Sequence, residues 1–258
     1  MELTSGYSMT LPVFSAFPGP GGAHLIQGEV CGSAFALGAE FMLTAHHVLR
    51  EAAAGGDYVV VGLQSPEGVW NVARVVETEA LAADLALLRV EFAQPGSETW
   101  FHRFKWQEVP FEPFAVVRAV GYAYGMQNVD GLRSVVVRGF QGHIVSRLTA
   151  FKPLGWPGQP FPAYELSFTS PRGLSGAPLL NSQGTVSIHG VLIGNSESRM
   201  LVFRAQERVR EGAEINTVEQ YEALTLGIAA EASTALPQQS RLLGKSLREH
   251  LAEHSLIG

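Results

Sequence analysis

Gly173-Leu174-Ser175-Gly176-Ala177-Pro178-Leu179 sets one serine between two glycines and follows it with a short apolar run. A serine hydroxyl is a poor nucleophile until a neighbouring base removes its proton. The glycine two places ahead matters for a separate reason. Without a side chain, its backbone can turn an N–H, beside the serine's own, toward an oxyanion that forms when the serine attacks a carbonyl. Losing one such donor typically costs about a hundred- to a thousandfold in rate.

A base and an acid are found upstream. Leu43-Thr44-Ala45-His46-His47-Val48 is a β-type run that ends in small residues and histidine, and Asp84-Leu85-Ala86-Leu87-Leu88 is an acid that opens an apolar strand. Acyl transfer uses such a set: imidazole accepts the serine proton, and a carboxylate fixes the imidazole tautomer and steadies the imidazolium.

Further outward, short β-type runs dominate. They include His24–Val30, Gly32–Leu37, Phe41–Thr44, Tyr58–Leu63, Val69–Val76 and Asp84–Glu91 in the first half. The second half has Ala115–Val120, Ser134–Gly139, Gly142–Ser146, Tyr164–Phe168, Ala177–Leu180, Val186–Ile193, Met200–Ala205 and Ala223–Ala229. They are rich in Val, Phe, Leu and Ile and bounded by turn residues. Strands do not alternate with long helices, which argues against a doubly wound sheet. The fold class expected is all-β. A soft boundary falls in Pro95–Pro113, His46–Ala54 reads as a short helix before Gly55 and Gly56, and Ser233–His254 reads as a longer one with Leu242, Leu243, Leu247 and Leu251 on one face.

The three segments around His47, Asp84 and Ser175 resemble, in order, the signature segments of trypsin-like serine peptidases, and look closest to bacterial single-chain members including the HtrA type. Gly121 after Val116–Val120, and Gly142-His143-Ile144-Val145-Ser146, are similar to strands of that family's second barrel. The likeness spans roughly Gly22 to Ala230. It implies two six-stranded Greek-key barrels with a C-terminal helix, in one peptidase domain over residues 1–258. The first barrel would cover about 20–100, the second about 110–231 and the helix about 233–255. Carried over residue by residue, His47 is the base, Asp84 its orienter and Ser175 the nucleophile, with Gly173 and Ser175 supplying oxyanion amides. Spacing within Thr-Ala-x-His assigns the base to His47 and not to His46. The strand that pairs with substrate would be Val191-Leu192-Ile193-Gly194, with Leu192, Ile193 and Gly194 contacting the peptide. Thr169, six residues before Ser175, resembles the base of the primary pocket; being neutral, it implies a small or medium uncharged side chain there. Two departures stand out. Val48 occupies the place where secreted relatives put the partner of a cysteine like Cys31. Leu174 stands where zymogens carry an acid, so activation by a newly cut N-terminus is not expected.

Composition narrows the alternatives. The chain of 258 residues is 46% hydrophobic with a net charge of -6, which fits a globular core and offers no basic cluster for nucleic acid or an anionic membrane. Cys31 is the only cysteine, and the residues after Met1 show no leader pattern, so a reducing cytoplasm is expected. The serine stretch is not the nucleophile elbow of α/β-hydrolases, because Ala177 replaces the last glycine. His250-Leu251-Ala252-Glu253-His254 matches H-x-x-E-H literally, but no third ligand follows it, and a solvated helix face is the simpler reading. Gly244-Lys245-Ser246 has Gln239 where a phosphate loop needs its first glycine.

The function expected is a serine endopeptidase that needs no metal or organic cofactor and acts on a protein or peptide substrate, with room for a regulatory partner or additional domains. Its rate would fall in acid, below about pH 6.5 for an ordinary imidazole. The rival is a silent protease fold kept for peptide binding. The stretch Ser196–Glu222, rich in Glu and Arg, departs from the minimal family pattern and is expected to form a hairpin.

Overall fold

The computed structural model describes residues 9–20, 24–26, 29–65, 69–93, 96, 101–129, 132–153, 155–182, 184–210 and 214–257. The leading residues read for a leader, and residues 27–28 of the His24–Val30 run, lie outside the described residues. The first half comprises β1 (Leu11–Pro18), β2 (His24–Ile26), β3 (Gly32–Ala36), β4 (Phe41–Ala45), α1 (His46–Ala54), β5 (Tyr58–Gln64), β6 (Trp70–Ala80) and β7 (Leu85–Phe92). Antiparallel pairing runs β1-β3-β4-β7-β6-β5 and returns from β5 to β1, which closes a six-stranded barrel with β2 on its rim. Leu85, Ala86, Leu87 and Leu88 are all fully buried, so β7 is covered on both faces and reads as an unbroken apolar run.

The second half holds β8 (Lys105–Trp106), β9 (Val116–Gly121), the hairpin β10 (Met126–Val129) and β11 (Leu132–Val135), then β12 (Arg138–Phe151), β13 (Phe161–Leu166), β14 (Pro178–Asn181), β15 (Ser187–Arg210) and β16 (Glu214–Glu231). Its pairings run β14-β9-β12-β13-β16-β15 and come back from β15 to β14, with β8 parallel to the start of β15. One apolar cluster unites the halves: Leu43, Leu87 and Trp106 share it with Phe161, Ile188 and Val191.

The chain then forms α2 (Ala232–Ala235), the short pair β17 (Gln239–Ser240) and β18 (Lys245–Ser246), and α3 (Leu247–Glu253). A single helix over about 233–255 is therefore corrected to two short ones. Pro237 has no N–H to continue a helix, and Gly244 adopts φ +67. Glu79 of β6 draws the intervening turn onto the first barrel, accepting from Ser240 Oγ at 2.7 Å, Arg241 N at 2.9 Å and Leu242 N at 3.0 Å. Ser246 and Glu249 then form a reciprocal cap that starts α3.

Two further elements depart from expectation. β1 begins at Leu11, ahead of the span that resembled the family, and it closes the first barrel. Pro12 and Pro18 obscure the strand in sequence, yet they pair with Ser33 and His24 and the ladder tolerates them. The expected hairpin around 196–222 is present, but it is no separate element. β15 and β16 are single strands that run from the barrel out to the pair Arg210–Glu214.

Candidate active site

Asp84 and the start of α1 build each other. Ala83 and Asp84 both lie in the left-handed region, with φ of 60° and 57°, a costly pair of conformations for residues with side chains. The bend aims the carboxylate at the first turn of α1, which has no cap of its own. Asp84 O accepts from His46 N at 2.6 Å, and its Oδ1 accepts from His47 N at 3.1 Å. Its Oδ2 meets His47 Nδ1 at 2.5 Å. An ionised carboxylate can only accept, so Nδ1 carries the proton and Nε2 is left as the basic nitrogen. One buried acid thus satisfies two helix-start amides, favourable at the positive end of the helix dipole, and fixes the histidine tautomer.

Ser175 reaches the same place from the second half. Gly176, at φ +85, lies so close to the first barrel that a Cβ there would sit 2.0 Å from Ser33 O and 3.0 Å from Ala45 N. Only glycine fits. Ser33 N donates to Ser175 O at 2.8 Å, while Ser33 Oγ donates to Gly173 O at 2.7 Å and accepts from Tyr122 N at 3.0 Å. Residues 171–174 form a turn closed by Leu174 N on Pro171 O, with Gly173 at φ +91. Arg172 O is held by Tyr124 N at 2.8 Å. The C=O and N–H of a trans peptide point opposite ways, so this bond aims the Gly173 N–H away from Tyr124. Among the described residues neither Gly173 N nor Ser175 N has an acceptor, so both are available to an oxyanion. Leu174 is fully buried with Ala123, Ala177 and Leu192, an apolar anchor for the turn. Outside, Arg172 pairs with Glu51 of α1 and with Glu29 at 3.2 Å. Ser175 Oγ makes no hydrogen bond to His47 among the described residues.

β15 supplies one wall of the cleft. Its Leu192 is consumed by the serine loop, accepting from Gly176 N at 2.7 Å and donating to Ala177 O at 2.9 Å. The ladder to β14 ends at Val191, so from Ile193 onward β15 is paired only with β16 among the described residues. Ile193, Gly194 and Asn195 line a cavity of about 490 Å³ together with His47 and Asp84. Thr169 is exposed and is not among the residues that line this cavity. Its neighbour Ser170 is buried, with an Oγ that has no partner. Asn195 ties β15 to the segment that leads to Ser175: its Oδ1 accepts from Ser170 N at 2.6 Å and its Nδ2 donates to Ser170 O at 2.9 Å. Sequence reasoning passed over Ser33, Ser170 and Asn195, because no local pattern marks residues whose partners lie far along the chain.

The family model of the trypsin-like peptidase domain matches residues 32–187. The chain belongs to the trypsin-like peptidase family. No curated protein sequence matches it. Among solved structures, this trypsin-like domain is similar to the MamO protease domain from Magnetospirillum magneticum in its apo form. The TM-score is 0.51 at 16% identity, over 89% of this chain and 94% of that chain, a likeness of fold.

Elsewhere in this trypsin-like domain, no group of three or more His, Cys, Asp or Glu among the described residues is placed to hold a metal. The H-x-x-E-H helix face is solvated at Glu253 and His254 as expected, but His250 is buried edge-on against Phe41, which packs α3 onto the first barrel. Cys31 is a free, buried thiol raised in pKa chiefly by burial, an inert environment. No helix among the described residues is long and apolar enough to cross a membrane.

Proposed function

We propose that this trypsin-like domain, one peptidase unit over residues 1–258, is a serine endopeptidase that hydrolyses peptide bonds in a protein substrate. The observation that carries the reading is Asp84 holding His47 by main chain and ring at once, across from a serine whose loop presents two unoccupied amides. In this mechanism the substrate backbone adds to the open edge of β15 at Ile193–Asn195. His47 Nε2 takes the Ser175 proton as Oγ attacks the carbonyl, and Asp84 steadies the imidazolium. The Gly173 and Ser175 N–H groups receive the oxyanion. His47 then returns the proton to the leaving amine, and a water activated by the same nitrogen releases the acyl group. No step requires a metal or organic cofactor. A reducing, cytoplasmic setting is supported by the lone Cys31, and control by a partner or by substrate by the long β15–β16 arm that continues the cleft strand.

A second reading, a silent binding module, is favoured by one observation: Ser175 Oγ and His47 are not hydrogen-bonded. Such bonds often tighten only once substrate is bound. A fluorescent fluorophosphonate separates the two. It should label the native protein and neither Ser175→Ala nor His47→Ala; native protein that stays unlabelled would favour the binding module.

A further inference from the structure

We infer that the cavity beside His47 selects peptides in which a large apolar side chain and an acidic one lie two residues apart, with Arg50 reading the acid. The inference deepens the proposed function and rests on the cleft assignment, not on turnover. The apolar half follows from the walls. Phe151 ends β12, Trp156 stands on the connection to β13, and Ile193 and Ile228 back them from β15 and β16. A space of about 490 Å³ with such a lining is the size and character of a side-chain or small-ligand site. Phe151 is held edge-on by Phe161, so that wall has a fixed orientation.

The acidic half follows from charge. His47 and Arg50 are three residues apart on α1 and share a helix face, and both line the cavity. Asp84 is the carboxylate that lines it, and it is engaged by His47. Arg50 is exposed and has no ion-pair or hydrogen-bond partner among the described residues. The contrast with Arg172 is direct, since that guanidinium is neutralised by Glu29 and Glu51. Glu51, the residue after Arg50, is therefore already occupied on the Arg172 side. Lys152, between the lining residues Phe151 and Pro153, adds a second exposed cation at the rim. Guanidinium and carboxylate match in planar, two-point geometry, so a glutamate or aspartate is the complement of such a site. The cavity adjoins the open edge of β15, so a peptide paired there as a strand would turn side chains two residues apart to the same face, one to the aromatic wall and one to the α1 face.

The test measures binding, so it holds whether or not the serine turns over. Fluorescein-labelled decapeptides with Phe and Glu, Phe and Lys, or Ala and Glu two residues apart at their centre (the Phe-Glu, Phe-Lys and Ala-Glu peptides) are titrated into Ser175→Ala protein by fluorescence anisotropy. Phe-Glu should bind about fivefold or more tighter than Phe-Lys, as a partly enclosed ion pair allows, and tighter than Ala-Glu. Arg50→Ala should erase the charge preference, and Arg50→Glu should invert it. Equal affinity for Phe-Glu and Phe-Lys, an unchanged preference in Arg50→Glu, or no binding of any peptide overturns the inference. Selective binding by a protein that fluorophosphonate does not label would leave the inference standing and remove the hydrolytic reading.

Discussion

Ser33 sits on a strand of the first barrel, yet its N–H and its hydroxyl both serve the loop that carries Ser175. Replacing it by alanine removes the buried hydroxyl that donates to Gly173 O and accepts from Tyr122 N, which costs about 1–3 kcal/mol and frees the peptide that follows Gly173. If the site hydrolyses peptides, Ser33→Ala should lower kcat by about ten- to a hundredfold with KM little changed, because an oxyanion donor acts mainly in the transition state. Steady-state kinetics on a fluorogenic peptide, beside a thermal melt, would check this; a loss of stability with kcat untouched would reduce Ser33 to a packing residue. The contrast with the proposed triad explains what could be read in advance. His47, Asp84 and Ser175 each sit in a local pattern of small and apolar neighbours, because the backbone around each must bend in a particular way. Ser33 has no such pattern, and its partners are some ninety residues or more away. The resemblance makes Leu192 a substrate contact; its main-chain groups bond Gly176 N and Ala177 O.

Among the elements, the segment 167–174 and strand β15 would, on the proposed function, be the walls between which a substrate side chain enters. Asn195 supplies the tie through two hydrogen bonds to the backbone of Ser170. Asn195→Ala should raise KM several-fold and leave the rate of fluorophosphonate labelling nearly unchanged, since a small probe asks little of the walls. Equal losses in both would place the tie's effect on the serine loop instead. Strand identity was readable here from β-branched and aromatic runs, whereas extent was not. Val186–Ile193 and Met200–Ala205 belong to one strand because the polar residues between them still find a full ladder of partners on β16. The last helix failed for the opposite reason: leucines at helical spacing are consistent with α3 alone, and the Glu79 carboxylate offered the turn before it better partners than helix would.

For the molecule as a whole, two buried histidines link stability to pH. His189 packs against Phe111 and His250 against Phe41; burial lowers the pKa of both, and the neighbouring His254 lowers that of His250 further. The unfolded chain, with imidazoles near 6.5, then binds protons more readily than the folded one. The stability these groups contribute is present above about pH 6.5 and is lost as pH falls through their lowered folded values. The melting temperature should therefore drop between pH 7 and pH 5, before ordinary carboxylates titrate, and His250→Leu should flatten part of that slope. A native melting temperature level over that range would contradict it. Glu79 acts lower down the scale. Burial raises its pKa, but the Leu242 and Arg241 amides and the Ser240 hydroxyl outweigh this, so its bonds to the C-terminal turn weaken only in stronger acid.

That turn has a consequence for how the protein is made. Residues 239–257 lie on the first barrel through Glu79 and through Phe41 against His250, and meet β8 of the second half through Trp106 N donating to Leu256 O at 2.7 Å. A ribosome adds about 5–20 residues per second, so this cover emerges on the order of ten seconds or more after β6 has left the tunnel. During that interval the nascent barrel carries an uncovered apolar face and an acceptor with none of its three donors. The interval is when a cotranslational chaperone would find something to hold.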